Sequence, residues 1–93
     1  MKERIHAHSA VIRSDDGIPY DVTTWGEERG DGTWKGWLEF RPHPGRGTTL
    51  RTGRETTQPN RNALEYWASG LEDVYLEGAF VRALERRGQL TRS

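Results

Sequence analysis

The sequence predicts an α+β domain: a four-stranded antiparallel meander, one covering helix over about 60–70, and a fifth strand over about 73–81, in the order ββββαβ. Three observations carry this expectation. Four stretches in the first part of the chain alternate apolar and polar residues with period two, separated by turn residues. One stripe, Leu64, Trp67, Ala68 and Leu71, recurs at i, i+3, i+4 and i+7. The length, 93 residues, supports a single core, so residues 1–93 form one domain.

The first strand is read at 4–13. In 18–25, Ile18, Tyr20 and Val22 alternate with Pro19, Asp21 and Thr23. In 33–41, Trp34, Gly36, Leu38 and Phe40 alternate with Lys35, Trp37 and Glu39. In 49–57, Leu50, Thr52 and Arg54 alternate with Arg51, Gly53 and Glu55. The separators are Asp15-Asp16-Gly17, the stretch from Gly26 to Gly32, and Pro42-His43-Pro44-Gly45-Arg46-Gly47. The helix has two N-terminal signals, Asn60 after Pro59 and the capping-box pair Asn62 and Glu65. Gly70 suits a left-handed position just past its end.

From Asp73 to Leu84 the apolar residues scatter around a helical wheel. At period two, Val74, Leu76, Gly78 and Phe80 share a face, which gives the fifth strand. A second helix over this stretch is the competing reading. Residues 88–93 read as a frayed tail.

A one-residue slip exchanges the faces of a strand, so registers decide which side chains are buried. A two-residue turn at Asp16-Gly17 would set Val11 opposite Val22 and His8 opposite Trp25. Tyr20 is expected opposite Leu38, and Phe40 opposite Leu50. The last register sets Arg51 opposite Glu39, Glu55 opposite Lys35 and Trp37 opposite Gly53. The inner face then holds Val11, Ile18, Tyr20, Val22, Trp34, Leu38, Phe40 and Leu50 beneath the helix. The outer face holds His6, His8, Thr23, Trp25, Lys35, Trp37, Glu39, Arg51 and Glu55.

Composition excludes several chemistries. Without cysteine there is no disulfide, thiolate nucleophile or cysteine-ligated metal centre. No apolar run approaches the roughly 20 residues of a membrane span. Residues 1–8 lack an apolar signal core, so a cytoplasmic location is expected. The net charge is zero, yet residues 14–32 carry six acids against Arg29, and residues 41–61 carry five arginines against Glu55.

The outer face supplies the first candidate site. Trp25, Trp37, His8 and Lys35 would anchor a protein partner or a second copy, since exposed aromatic surface marks interfaces. The alternative is a nucleic-acid, nucleotide or phosphate site on Arg41, Arg46, Arg51, Arg54 and Arg61, where arginines can grip phosphate bidentately. Its glycine-rich loop matches neither the P-loop nor the dinucleotide fingerprint. Arg54 shares Leu50's face, either paired with Glu65 or carried at the sheet edge with its head in water. His6 and His8 have the spacing of two metal ligands, but a third is not evident, so no metal or other cofactor is expected. No serine sits in a nucleophile elbow, and the acids Asp15, Asp16, Glu27, Glu28 and Asp31 fall in turns. The chain therefore reads as a non-catalytic interaction module.

Overall fold

A computed structural model describes residues 1–44 and 47–91. Its elements are β1 (Lys2–Arg13), β2 (Pro19–Glu28), β3 (Trp34–Pro42), β4 (Leu50–Arg51), β5 (Thr56–Gln58), α1 (Arg61–Ser69) and α2 (Asp73–Thr91). All strand pairs are antiparallel in the order β1-β2-β3-β4, and β5 pairs with β3. The domain is α+β, as the sequence predicts. β4 and β5 are two halves of the expected fourth strand, interrupted between Thr52 and Glu55. Of the tail read at 88–93, residues up to Thr91 belong to α2, and 92 and 93 lie outside the described residues.

The stretch 73–81 is helix, not a fifth strand. Leu76, Ala79, Phe80 and Ala83 are buried, and their spacing is i, i+3, i+4 and i+7. The buried stripe is half alanine, and Val74, Val81 and Leu84 stay on the exposed side. Counting large apolar residues alone spreads them around the wheel and hides the stripe.

The β1–β2 and β2–β3 hairpins each turn through three residues. Ser14 N–H donates to Ile18 O (2.9 Å) and Gly17 N–H to Ser14 O (2.9 Å), with Gly17 at φ 84°. Arg29 N–H donates to Thr33 O (2.7 Å) and Gly32 N–H to Arg29 O (3.0 Å), with Gly32 at φ 88°. A turn closed by a left-handed glycine is the usual three-residue hairpin loop. The loop therefore includes Asp15, one residue more than Asp16-Gly17 alone. Val11 pairs with Asp21 rather than Val22, and Ile12 with Tyr20. Accordingly Ile12 is buried and Val11 is 49% exposed, reversing their expected places.

β1 also carries two irregularities, between Arg4 and His6 and between Ala7 and Val11. Arg4, not His8, pairs with Trp25, and His6 pairs with Thr24. In β2–β3, Tyr20 pairs with Pro42 and Thr24 with Leu38. That register differs from the expected one by an even number of residues, so the faces of these two strands are preserved. In β3–β4, Phe40 pairs with Leu50 and Glu39 with Arg51, as expected.

Both helices lie on one face of the sheet. α2 covers Ile12, Tyr20, Val22, Leu38, Phe40 and Leu50 with Leu76, Ala79, Phe80 and Ala83. α1 covers Ile5 and Trp34 with Leu64, and Trp67 packs against this smaller cluster. Asn60 is the N-cap of α1, its Oδ1 accepting from Ala63 N–H at 2.8 Å. Gly70 closes α1 in a right-handed conformation (φ −92°), not the left-handed one expected. The chain then enters α2 almost at once.

Candidate functional site

The face away from the helices carries the odd-numbered side chains of β2 and β3. Trp25 and Trp37 sit directly opposite each other there. They do not form an exposed aromatic patch. Trp37 is only 3% exposed, which removes it as a direct anchor, and Trp25 is partly buried. Cations cover both rings: Lys2 Nζ lies 5.0 Å from the Trp25 ring centre, Lys35 Nζ 5.8 Å and the Arg51 guanidinium carbon 4.7 Å from that of Trp37. Both indole N–H groups are buried without a hydrogen-bond partner among the described residues. The face is thus a cationic canopy over an apolar floor.

Carboxylates thread between these cations. Lys35 Nζ lies 3.3 Å from Glu27 Oε1, and this contact holds the Glu27 carboxyl below the usual carboxylate range. Glu39 pairs across the sheet with Arg51 and lies 3.9 Å from Arg41. Beside Trp25 a groove of about 310 Å³ is lined by Arg4, Asp21, Thr23, Glu39 and Arg41, among others. Lys2 and Arg4 were absent from the sequence-derived site. Their place on this face follows from the pairs Lys2–Glu27 and Arg4–Trp25, which the irregularities in β1 set.

His8 forms part of the wall of the groove beside Trp25, but its ring is bonded toward the helix side. Its Nε2 lies 2.7 Å from Thr24 Oγ1, and Thr24 shares Leu38's helix-covered side. His6 packs edge-on against it, with ring centres 4.7 Å apart. Burial, followed by repulsion from His6, lowers the His8 pKa to about 4. A hydroxyl beside a neutral imidazole has the parts of a nucleophile–base pair. Thr24 is fully buried, so no substrate reaches its oxygen. The contact is structural.

The arginines of the alternative site do not converge. Arg41 and Arg51 reach the open face. Arg54 is exposed in the β4–β5 interruption, its head in water, and Glu65 pairs instead with Arg61 at 3.6 Å. Arg61 Nε also lies 3.1 Å from Glu3 Oε1. Arg46 lies outside the described residues.

Glu55 is likewise displaced from its expected place opposite Lys35, which pairs with Thr57. The interruption turns Glu55 toward α2, where Tyr75 OH donates to its Oε1 (2.6 Å) and Arg82 Nε to its Oε2 (3.3 Å). Arg86 donates to Thr52 O at 3.3 Å, so the interruption is pinned to α2. Among the described residues no group of three or more His, Asp or Glu could hold a metal ion, and no helix is long and apolar enough to cross a membrane. No family model, curated protein or solved structure matches the chain.

Proposed function

We propose that the chain is a non-catalytic binding module whose open sheet face engages a protein partner with a predominantly acidic surface. The observation that carries this reading is the cation-covered Trp25–Trp37 pair on the side of the sheet that neither helix covers. Lys2, Arg4, Arg13, Lys35, Arg41 and Arg51 supply six cations, against Asp21, Glu27 and Glu39. Such a surface steers acidic partners and fixes their register. The buried indoles hold the cation stems in place, which limits the conformational freedom lost on binding.

Nucleic acid is the second reading, since an open antiparallel face with cations over indoles also suits single strands. The interleaved carboxylates disfavour it, because each would oppose a phosphate. Affinity capture with the intact domain, compared with Arg4→Glu/Arg41→Glu, tests the protein reading. Partners retained by the wild type and lost by the double variant are expected, with retention weakening as salt rises. An identical set of partners on both would overturn the assignment. Binding of oligonucleotides alone would favour the second reading.

A further inference from the structure

A separate surface lies at the end of the sheet away from β4 and β5. β1 is an edge strand, paired on one side only among the described residues. Beside its C-terminal half, a groove of about 510 Å³ opens between β1, the first hairpin loop and α2. Ile12 and Phe80 form part of its lining, with Val11, Val81 (54% exposed) and Leu84 (44% exposed). Asp15, Asp16 and Glu77 give its rim an acidic character, against Arg13 alone.

We propose that this edge and groove receive β1 of a second copy, giving a two-fold dimer with one continuous sheet. The proposal does not rest on the function assigned to the open face, although Lys2 and Arg4 take part in both. Three features of the chain select a second copy as the occupant.

The first is charge. The N-terminal end of β1 carries Lys2 and Arg4, and its other end carries Arg13 but leads into Asp15 and Asp16, with Glu77 of α2 beside them, three acids against one cation. Antiparallel self-pairing brings the basic end of one strand to the acidic end of the other, twice by symmetry. Glu3 does not oppose this, because its carboxylate is held by Arg61.

The second is regularity. Irregularities in the middle of β1 interrupt its edge, and bulges ordinarily discourage strand addition. They leave two regular stretches, Lys2–Arg4 and Val11–Arg13. In antiparallel pairing these are the stretches that meet. Their faces also match. Lys2, Arg4, Val11 and Arg13 share the open side, and Glu3 and Ile12 share the helix side, so both helix layers fall on one side of the joined sheet.

The third is the groove's apolar occupant. Met1 precedes Lys2 and is 99% exposed. Alternation places it on the helix side of β1, the side on which α2 walls the groove. Its flexible thioether side chain suits an irregular apolar recess between Val81 and Leu84. Basic residues next to it meet the acidic rim.

Sedimentation velocity of the intact chain tests the proposal, with circular dichroism to verify folding of each variant. The wild type is expected to sediment as a dimer at tens of micromolar and to shift toward monomer in high salt. Val81→Asp, Asp15→Lys/Asp16→Lys and Lys2→Glu/Arg4→Glu are each expected to give folded monomers. Combining the two charge reversals is expected to restore the dimer. A wild type that stays monomeric at hundreds of micromolar overturns the proposal. So does a dimer that Val81→Asp and both reversals leave intact, or a folded combined variant that remains monomeric. Lys2 and Arg4 belong to both surfaces, whereas Val81→Asp leaves both residues unaltered, so capture of partners by the Val81→Asp monomer separates the two proposals.

Discussion

Leu38 and Thr52 exchange two hydrogen bonds at the point where the fourth strand breaks. Thr52 N–H donates to Leu38 O at 2.9 Å, and Leu38 N–H donates to Thr52 Oγ1 at 3.0 Å. A side-chain oxygen has taken the place of a strand carbonyl. The hydroxyl in turn donates to Gly53 O at 2.8 Å. Thr52→Val keeps the shape and leaves a buried N–H unpaired, so a loss of about 1–3 kcal/mol is expected in urea unfolding. Thr52→Ser keeps the acceptor and should lose clearly less. Equal stability of the Val variant and the wild type would show that the hydroxyl does not hold the break.

Gly26 and Gly36 pair across β2 and β3 and form the floor on which Leu64 rests. A Cβ on Gly26 would come within 2.4 Å of Leu64 Cδ2, and one on Gly36 within 2.6 Å of Leu64 Cδ1. Either alanine substitution should destabilise the fold by about 1–3 kcal/mol through overpacking. In Leu64→Ala the contact with Leu64 disappears and only Thr56 Cγ2 at 3.2 Å remains tight, so adding Gly36→Ala should then cost less than it does alone. Thermal melts of the four species measure this coupling, and strict additivity would count against the contact.

His8 makes stability depend on pH in one direction. Its pKa falls from an ordinary 6.5 to about 4 in the folded chain. Between those values the unfolded chain binds the extra proton and the folded chain does not. The contribution of neutral His8 is therefore complete above about 6.5 and is lost as pH falls toward 4. His8→Gln should flatten the melting temperature across this interval. A slope that survives the substitution would assign the effect to another group.

Tyr75 gives the opposite end of the scale. Burial, then its hydrogen bond to Glu55 and the charge of that carboxylate, pushes its phenol up to about 12. Ultraviolet titration should show Tyr75 ionising late. Because the folded chain holds this proton more tightly, its contribution is complete below about 10 and lost as pH rises through about 12. Glu55→Gln should bring the titration back toward 10. It should also loosen Arg82, whose pKa the same carboxylate raises.

The β3–β4 register was legible because Phe40–Leu50 and Glu39–Arg51 fit one alignment by both hydrophobicity and charge. Helix α1 was legible for the same reason, its stripe and its Asn60 cap agreeing. The first hairpin was not. Asp16-Gly17 and Asp15-Asp16-Gly17 are both acceptable turns, and the choice between them exchanges Val11 with Ile12. The irregularities of β1 leave no mark on its alternation, yet they carry His6 to the helix side, turn the His8 ring toward it and bring Arg4 to Trp25. The open face was therefore located correctly and its occupants only partly. Trp25, Lys35 and Arg51 belong to it, His8 borders its groove with its ring bonded to Thr24, and Trp37 is its floor rather than its surface.

The break between β4 and β5 also limits growth. One side of the sheet ends in pieces of two and three residues, separated by a segment turned toward α2. Such an edge offers no continuous template to an incoming strand. β1 is left as the sole long border. If β1 takes up a second copy as proposed, the same interruption that anchors α2 would end edge-to-edge assembly at a pair rather than a growing sheet.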